Sequence, residues 1–183
     1  MTSAVRWRRN RRVAVLLALV AMSASGLVPR MITVAQAQTS SVDGVCGESG
    51  HGTNTPGVTF SPEQHRFTLS GGLGPCQLSD SSIHSGTYSG SASGAYGCAA
   101  GRGGSGLLTI SWNNGKRSAG TFTIGNAGPA AVLPGRFTSG EFAGRRFVLR
   151  YLITGGDPSA CTSGRGLTDI SWQGVFGISA VVI

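Results

Sequence analysis

Few side chains in this 183-residue chain can do chemistry: three histidines, seven acids and four cysteines. The histidines are His51, His65 and His84, and with Glu63 and Asp80 they could form a metal or acid–base cluster. Their spacings of 14 and 19 residues match no ligand motif, so surface positions are expected for them. No G-x-S-x-G occurs, and no nucleophile elbow is signalled. Paired carboxylates for glycoside hydrolysis must face each other across a cleft, and nothing in the placement of the acids selects a pair. Gly101-Arg102-Gly103-Gly104-Ser105-Gly106 has the form G-x-G-x-x-G. Dinucleotide binding needs a strand before that run and a helix N-terminus after it. A strand pattern follows instead, so the segment reads as a flexible loop. No catalytic residue, metal site or cofactor is assigned.

Two basic features remain. Arg145, Arg146 and Arg150, with Arg136 nearby, could meet an anionic wall polymer or simply solvate a strand face. Arg165 stands in Cys161-Thr162-Ser163-Gly164-Arg165-Gly166, a segment that a disulfide would tether. A stiff loop presenting one Arg is a way for a protease inhibitor to offer its P1 residue, because the ordering entropy is spent in advance.

The compartment follows from the N-terminus. Arg6, Arg8, Arg9, Arg11 and Arg12 precede an uncharged run from Val13 to Val28, and Val34-Ala35-Gln36-Ala37 offers small residues for cleavage. That is the order of a signal peptide, assigned to residues 1–37, and the apolar run is too short for a membrane span. Asn10-Arg11-Arg12-Val13-Ala14-Val15 also loosely fits a twin-arginine signal, so general secretion and twin-arginine export both stay open. Beyond Ala37 there are nine Lys and Arg against seven Asp and Glu, a net charge of +2 rather than the +8 of the whole chain. The basicity therefore belongs to the signal. It implies neither nucleic-acid binding nor an anionic membrane partner. An extracellular location is expected.

Cys46, Cys76, Cys98 and Cys161 all follow the signal, and an even count in an exported chain reads as two disulfides. Three pairings are possible. An internal echo favours one of them: Gly106-Leu107-Leu108-Thr109-Ile110-Ser111-Trp112 matches Gly166-Leu167-Thr168-Asp169-Ile170-Ser171-Trp172 at five of seven positions, with Cys98 and Cys161 upstream of the two copies. Cys98–Cys161 then leaves Cys46–Cys76. By alternation, Ile110 with Trp112 and Ile170 with Trp172 should point into a core.

The elements that would carry these residues are strands. Residues 38–55 are polar and read as a flexible arm, and 56–183 as a single β domain. Val58–Phe60 and Arg66–Ser70 flank a turn at Ser61-Pro62-Glu63-Gln64. Tyr88–Tyr96 sets Ser89, Ser91 and Ser93 against Tyr88, Gly90, Ala92, Gly94 and Tyr96. Leu107–Trp112 and Ser118–Ile124 flank Asn113-Asn114-Gly115, a hairpin signal because Asn and Gly tolerate positive φ. Arg146–Ile153 places Phe147, Leu149, Tyr151 and Ile153 on one face. The uncharged stretch from Val175 to Ile183 suits a strand buried on both faces or one that closes a barrel. The fold expected is all-β, an antiparallel sandwich or small barrel of roughly 8–10 strands stapled by two disulfides.

The landmarks Gly74-Pro75-Cys76, Ser85 to Gly94, Gly97-Cys98, Leu108 to Gly115, Gly135 to Gly144 and Ala160-Cys161 together resemble a group of small secreted, four-cysteine, β-rich proteins of actinobacteria that has no assigned activity. The resemblance implies secretion and a disulfide-bonded β domain, and brings no functional residue. The function expected is a secreted non-enzymatic binding or structural module. Its partner would be a cell-envelope polymer, another secreted protein or a small ligand. A small extracellular hydrolase and an inhibitor presenting Arg165 are the alternatives.

Overall fold

The computed structural model describes residues 42–99, 101–125 and 129–180. The assigned signal at 1–37, residues 38–41 and the last three residues lie outside them. Eight strands follow in chain order: β1 (Val42–Val58), β2 (Glu63–Leu78), β3 (Gly86–Tyr96), β4 (Gly101–Trp112), β5 (Arg117–Thr123), β6 (Ala130–Gly140), β7 (Arg146–Gly155) and β8 (Leu167–Ser179). Each pairs antiparallel with the next, and β8 returns to pair with β1, closing a barrel. Of the two architectures expected, the barrel is the one formed. Closure leaves no edge strand among the described residues. A 3₁₀ turn at Pro158–Thr162 links β7 to β8.

Alternation decides which side chains enter the lumen. On β3, Tyr88, Gly90, Ala92, Gly94 and Tyr96 point inward, and the serines between them are exposed. On β7, Phe147, Leu149, Tyr151 and Ile153 point inward. On β3 this polar-out, apolar-in order is the reverse of that in a membrane-spanning barrel. Among the described residues no helix is long and apolar enough to cross a membrane. The β4–β5 hairpin turns at Asn113-Asn114-Gly115, with Gly115 at φ +82° and its N–H bonded to the Trp112 carbonyl at 3.0 Å.

Eight strands enclose a space barely wider than the side chains that fill it. This barrel fits large rings by laying them over glycines. A Cβ at Gly50 would sit 2.1 Å from the Tyr88 hydroxyl, one at Gly106 2.3 Å from the Phe122 ring, and one at Gly135 2.2 Å from the Phe147 ring. At the end where β1 starts and β4 finishes, Trp112, Phe137, Phe142, Phe147 and Phe176 fill the lumen, with Phe137 and Phe147 centroids 4.8 Å apart and Trp112 edge-on to Phe142 at 5.3 Å. Lys116–Glu141 at 2.9 Å and the Arg145–Asp43 pair tie the turns outside this packed end.

Both disulfides form as expected, Cys46–Cys76 and Cys98–Cys161. The first joins directly opposed residues of β1 and β2. Trp112 and Trp172 are inside, with Ile110 and Ile170 beside them.

Two expectations need correction. The arm placed at 38–55 is, from Val42 onward, strand β1, paired along its length with β2 and β8. Its inward residues are Cys46, Glu48, Gly50, Gly52 and Asn54, so no aliphatic alternation marks it, and the rings that cover it come from other strands. The glycine run 101–106 opens β4 rather than forming a loop. Its Gly104 and Gly106 pass close to β3 carbonyls and the Phe122 ring, where a side chain would clash. The stretch from Val175 takes the second of its two expected roles, closing the barrel with Val175 50% exposed on the outside.

Gly52→Ala would push a methyl to 2.4 Å from the Phe67 ring, whereas at Gly72, on the same barrel wall, nothing lies within 4 Å. Overpacking of this kind costs about 1–3 kcal/mol. Urea unfolding should show that loss for Gly52→Ala and a change within about 0.5 kcal/mol for Gly72→Ala.

Candidate functional site

The ring cluster that fills the packed end leaves open space toward the other end. Toward the mouth, where β1 and β3 finish and β8 begins, the lumen holds a cavity of about 350 Å³. Its walls include Val58, Phe67, Phe122, Ile124, Leu133, Ile153, Leu167 and Ile170. Pro129, Pro158 and both residues of the Cys98–Cys161 disulfide frame the opening. Small-ligand sites run from about 300 to 1,000 Å³ and are lined mainly by apolar groups with a few placed polar ones.

Three polar side chains line this cavity: Asn54, Tyr96 and Tyr151. The Tyr96 hydroxyl donates to Asn54 Oδ1 at 2.9 Å. Tyr151 stacks on Trp172 with centroids 5.2 Å apart. Burial and the negative charge of Glu48 push the Tyr151 phenol up to about 12, so its proton stays on. The Tyr96 phenol is also raised to about 12, by burial first and then by Tyr151.

Glu48 lies one layer beneath, 6% exposed. Its Oε1 accepts from the Tyr88 hydroxyl and from Trp172 Nε1, the latter at 2.6 Å, while Oε2 has no partner. Burial raises the Glu48 pKa, and the two hydrogen bonds oppose that rise. Burial and the neighbouring carboxylate both drive the Tyr88 phenol upward. A buried carboxylate with one bare oxygen is a costly group to retain. It sits between the packed half of the barrel and the hollow half.

The sequence-marked residues distribute elsewhere. His65 is not at the surface: it faces inward, 3% exposed, and stacks on Tyr96 at 4.8 Å. Its Nδ1 donates to the Pro56 carbonyl at 2.9 Å, since a carbonyl can only accept, and Nε2 has no partner. His51 is exposed on β1, where its Nε2 meets Ser70 Oγ at 3.0 Å. His84 lies in the loop after β2 at the packed end, where its N–H donates to Asn113 Oδ1 at 2.9 Å. His51, Asp157 and Asp169 do line one polar depression of about 680 Å³ outside the mouth. Asp157 is held by Ser159 N–H and Oγ at 2.9 and 2.7 Å, which lower its pKa. Asp169 is held by Thr53 and Thr168 at 3.3 and 2.7 Å. Among the described residues, no two of His51, His65, His84, Glu63, Asp80, Asp157 and Asp169 are hydrogen-bonded to each other.

The arginines also separate. Arg136, Arg146 and Arg150 share the outer face of β6 and β7, with Arg136 directly opposite Arg146. Arg145 is engaged by Asp43. Arg165 is at the mouth, the third residue of a tight turn closed by the Gly166 N–H on the Ser163 carbonyl at 3.2 Å. A protease needs an extended segment in its cleft, and a tight turn does not supply one. Sequence reasoning missed Glu48, Asn54 and Tyr151 as a group. The two-residue period of Cys46, Glu48, Gly50, Gly52 and Asn54 was the available signal.

Comparison with known proteins adds no relative: no family model, no curated protein and no solved structure matches the chain.

Because burial raises the Glu48 pKa in the folded chain, the folded state binds this proton more tightly than the unfolded one. That contribution to stability is complete below the ordinary glutamate value of 4.5 and fades as pH rises through the folded value. Thermal melts from pH 4.5 to 8 should show the wild type losing stability with rising pH relative to Glu48→Gln. Parallel curves for the two proteins would contradict the raised pKa.

Proposed function

We propose that this chain is a secreted, non-enzymatic binding module that holds a small ligand in the mouth of its barrel. The observation that carries the reading is the 350 Å³ apolar cavity inside a closed barrel whose other half is solid. Two disulfides and the N-terminal signal pattern support export. A rigid wall of strands, tied across the opening by Cys98–Cys161, binds without first having to order itself. His51, Asp157 and Asp169 share one depression but each bonds to a Ser or Thr rather than to one another, which favours binding over hydrolysis. Ser70 and His51 do meet, but on an exposed outer face, and no carboxylate orients the imidazole among the described residues. Water is not excluded there, and the triad logic is incomplete.

The neutral fluorescent probe N-phenyl-1-naphthylamine should bind the oxidised protein with saturable 1:1 stoichiometry and quench Trp172, which stacks on the cavity wall through Tyr151. Ile153→Trp, which fills the cavity, should weaken uptake at least tenfold while the far-UV circular dichroism stays unchanged. Equal binding by both proteins would place the probe outside the lumen.

A second reading has its own observation. On the outer face, the rows Pro134–Val148–Gly177–Val45 and Val132–Arg150–Val175 run beside the Arg136–Arg146 row. Leu152 and Val175 on this face are 60% and 50% exposed. An apolar surface flanked by arginines suits an anionic wall polymer. Arg146→Glu with Arg150→Glu should abolish sedimentation with purified cell walls at low salt and leave probe uptake in the lumen intact.

A further inference from the structure

The chemistry of the cavity wall narrows the ligand further. No Lys, Arg, His, Asp or Glu is among the residues that line it. A charged ligand would lose its hydration there and find no counter-charge, which is far costlier than burying a neutral polar group. Glu48 lies one layer beneath, bonded to the Trp172 indole on which Tyr151 rests. An entering carboxylate is therefore penalised by desolvation, with no counter-charge in the wall to offset it.

The unused hydrogens at the cavity wall belong to the Asn54 amide and the Tyr151 hydroxyl. Asn54 Oδ1 is occupied by the Tyr96 hydroxyl, so the amide NH₂ of Asn54 is the part still to be satisfied, and it makes no hydrogen bond among the described residues. Its carbonyl partner, the Tyr96 hydroxyl, has already given its proton. The Tyr151 hydroxyl likewise makes no hydrogen bond among the described residues, and it remains a phenol. Asn54 enters from β1 and Tyr151 from β7, two strands that flank β8 on either side. The fully buried atoms without a partner are Glu48 Oε2 and His65 Nε2, whereas the Asn54 amide and the Tyr151 hydroxyl stay open to the cavity, where a ligand's acceptor can reach them.

We infer that the lumen takes a neutral, mainly apolar molecule carrying a hydrogen-bond-accepting oxygen, such as a ketone or ester carbonyl, held by the Asn54 amide and the Tyr151 hydroxyl, and that it discriminates against carboxylates. This rests on the lumen-binding reading and assigns its ligand class. Asn54 and Tyr151 are the specificity-determining residues, and the apolar walls supply affinity without choice.

Three matched probes test it: naphthalene, 2-acetylnaphthalene and 2-naphthoate, each titrated against N-phenyl-1-naphthylamine bound to the oxidised protein. Wild type should bind the ketone roughly fivefold more tightly than naphthalene, the worth of one net hydrogen bond. The carboxylate should bind at least tenfold more weakly than the ketone. Asn54→Leu and Tyr151→Phe should each lower ketone affinity toward that of naphthalene and leave naphthalene unchanged. The Tyr151→Phe variant keeps the ring that stacks on Trp172, so it guards against a folding defect in Asn54→Leu. If naphthalene displaces the dye but the ketone gains nothing, or the carboxylate binds as well as the ketone, the ligand class is wrong and the lumen reading stands. If the dye and all three probes fail to bind, the lumen reading falls and the ligand class with it.

Discussion

The barrel depends on aromatic rings lying flat over inward-facing glycines. An eight-stranded barrel encloses an interior only just wide enough for its side chains, so its largest rings need small residues beside them. Here Tyr88 covers Gly50 and Gly71, Phe67 covers Gly52, Phe122 covers Gly106, and Phe147 covers Gly120 and Gly135. Each ring supplies the apolar area that the glycine lacks, and each glycine supplies the space that the ring needs. The abundance of glycine is thus a packing device rather than a sign of looseness. Where rings are plentiful, from Trp112 to Phe176, the lumen is solid. Toward the mouth, Val58, Leu133, Ile153 and Ile170 stand among the rings of Phe67, Tyr96, Phe122 and Tyr151, and the space they leave unfilled is the cavity.

Glu48 marks the level at which one regime gives way to the other. Gly50 beside it must lack a side chain, because the Tyr88 hydroxyl and the Trp172 indole both occupy that space to reach the carboxylate. Three strands, β1, β3 and β8, are thereby fixed in register by a single acceptor oxygen. A hydrophobic residue at position 48 would avoid the desolvation cost but would leave the indole N–H and the phenol without partners. The polar network and the glycine are one solution and cannot be exchanged separately. Tyr151 then rests on Trp172 and forms the next layer up, so the orientation of a cavity-lining phenol traces back to Glu48.

Strands with strong side-chain alternation were legible in the sequence. β3 announces itself through its serines, β7 through Phe147 to Ile153, and the β4–β5 hairpin through Asn113-Asn114-Gly115. The disulfide pairing followed from the echo between β4 and β8, which both run from the mouth toward the packed end and present Ile and Trp to the lumen. β1 and the first half of β4 were not legible, because their inward residues are glycines and polar groups whose burial is provided by other strands. His65 was hidden for a related reason: its neighbours in sequence are exposed, and only the pairing with β3 brings Tyr96 over it. The cavity could not be read at all. It is a difference between the volume that eight strands enclose and the volume that side chains from all eight fill, and no single segment carries that difference.

The second disulfide explains why that difference persists as an open cavity. Hollow apolar space tends to collapse when its walls can move, since lost van der Waals contacts are regained by closing in. The strand walls cannot shift independently, because each is paired on both sides. The weak point is the rim, where the segment from Asp157 to Gly166 contains a 3₁₀ turn that packs mainly against β8. Cys161 in that turn is bonded to Cys98, which follows β3 on the far side of β1 and β2. Cys98 is itself fixed by its N–H on the Thr59 carbonyl at 2.8 Å. The bond therefore spans the opening and holds Pro158 and Leu167 at a set distance from Tyr96 and Val58. In this barrel one disulfide fastens the wall and the other keeps the mouth at a fixed width, so the size of what can enter is set by the covalent frame as much as by the residues that line it.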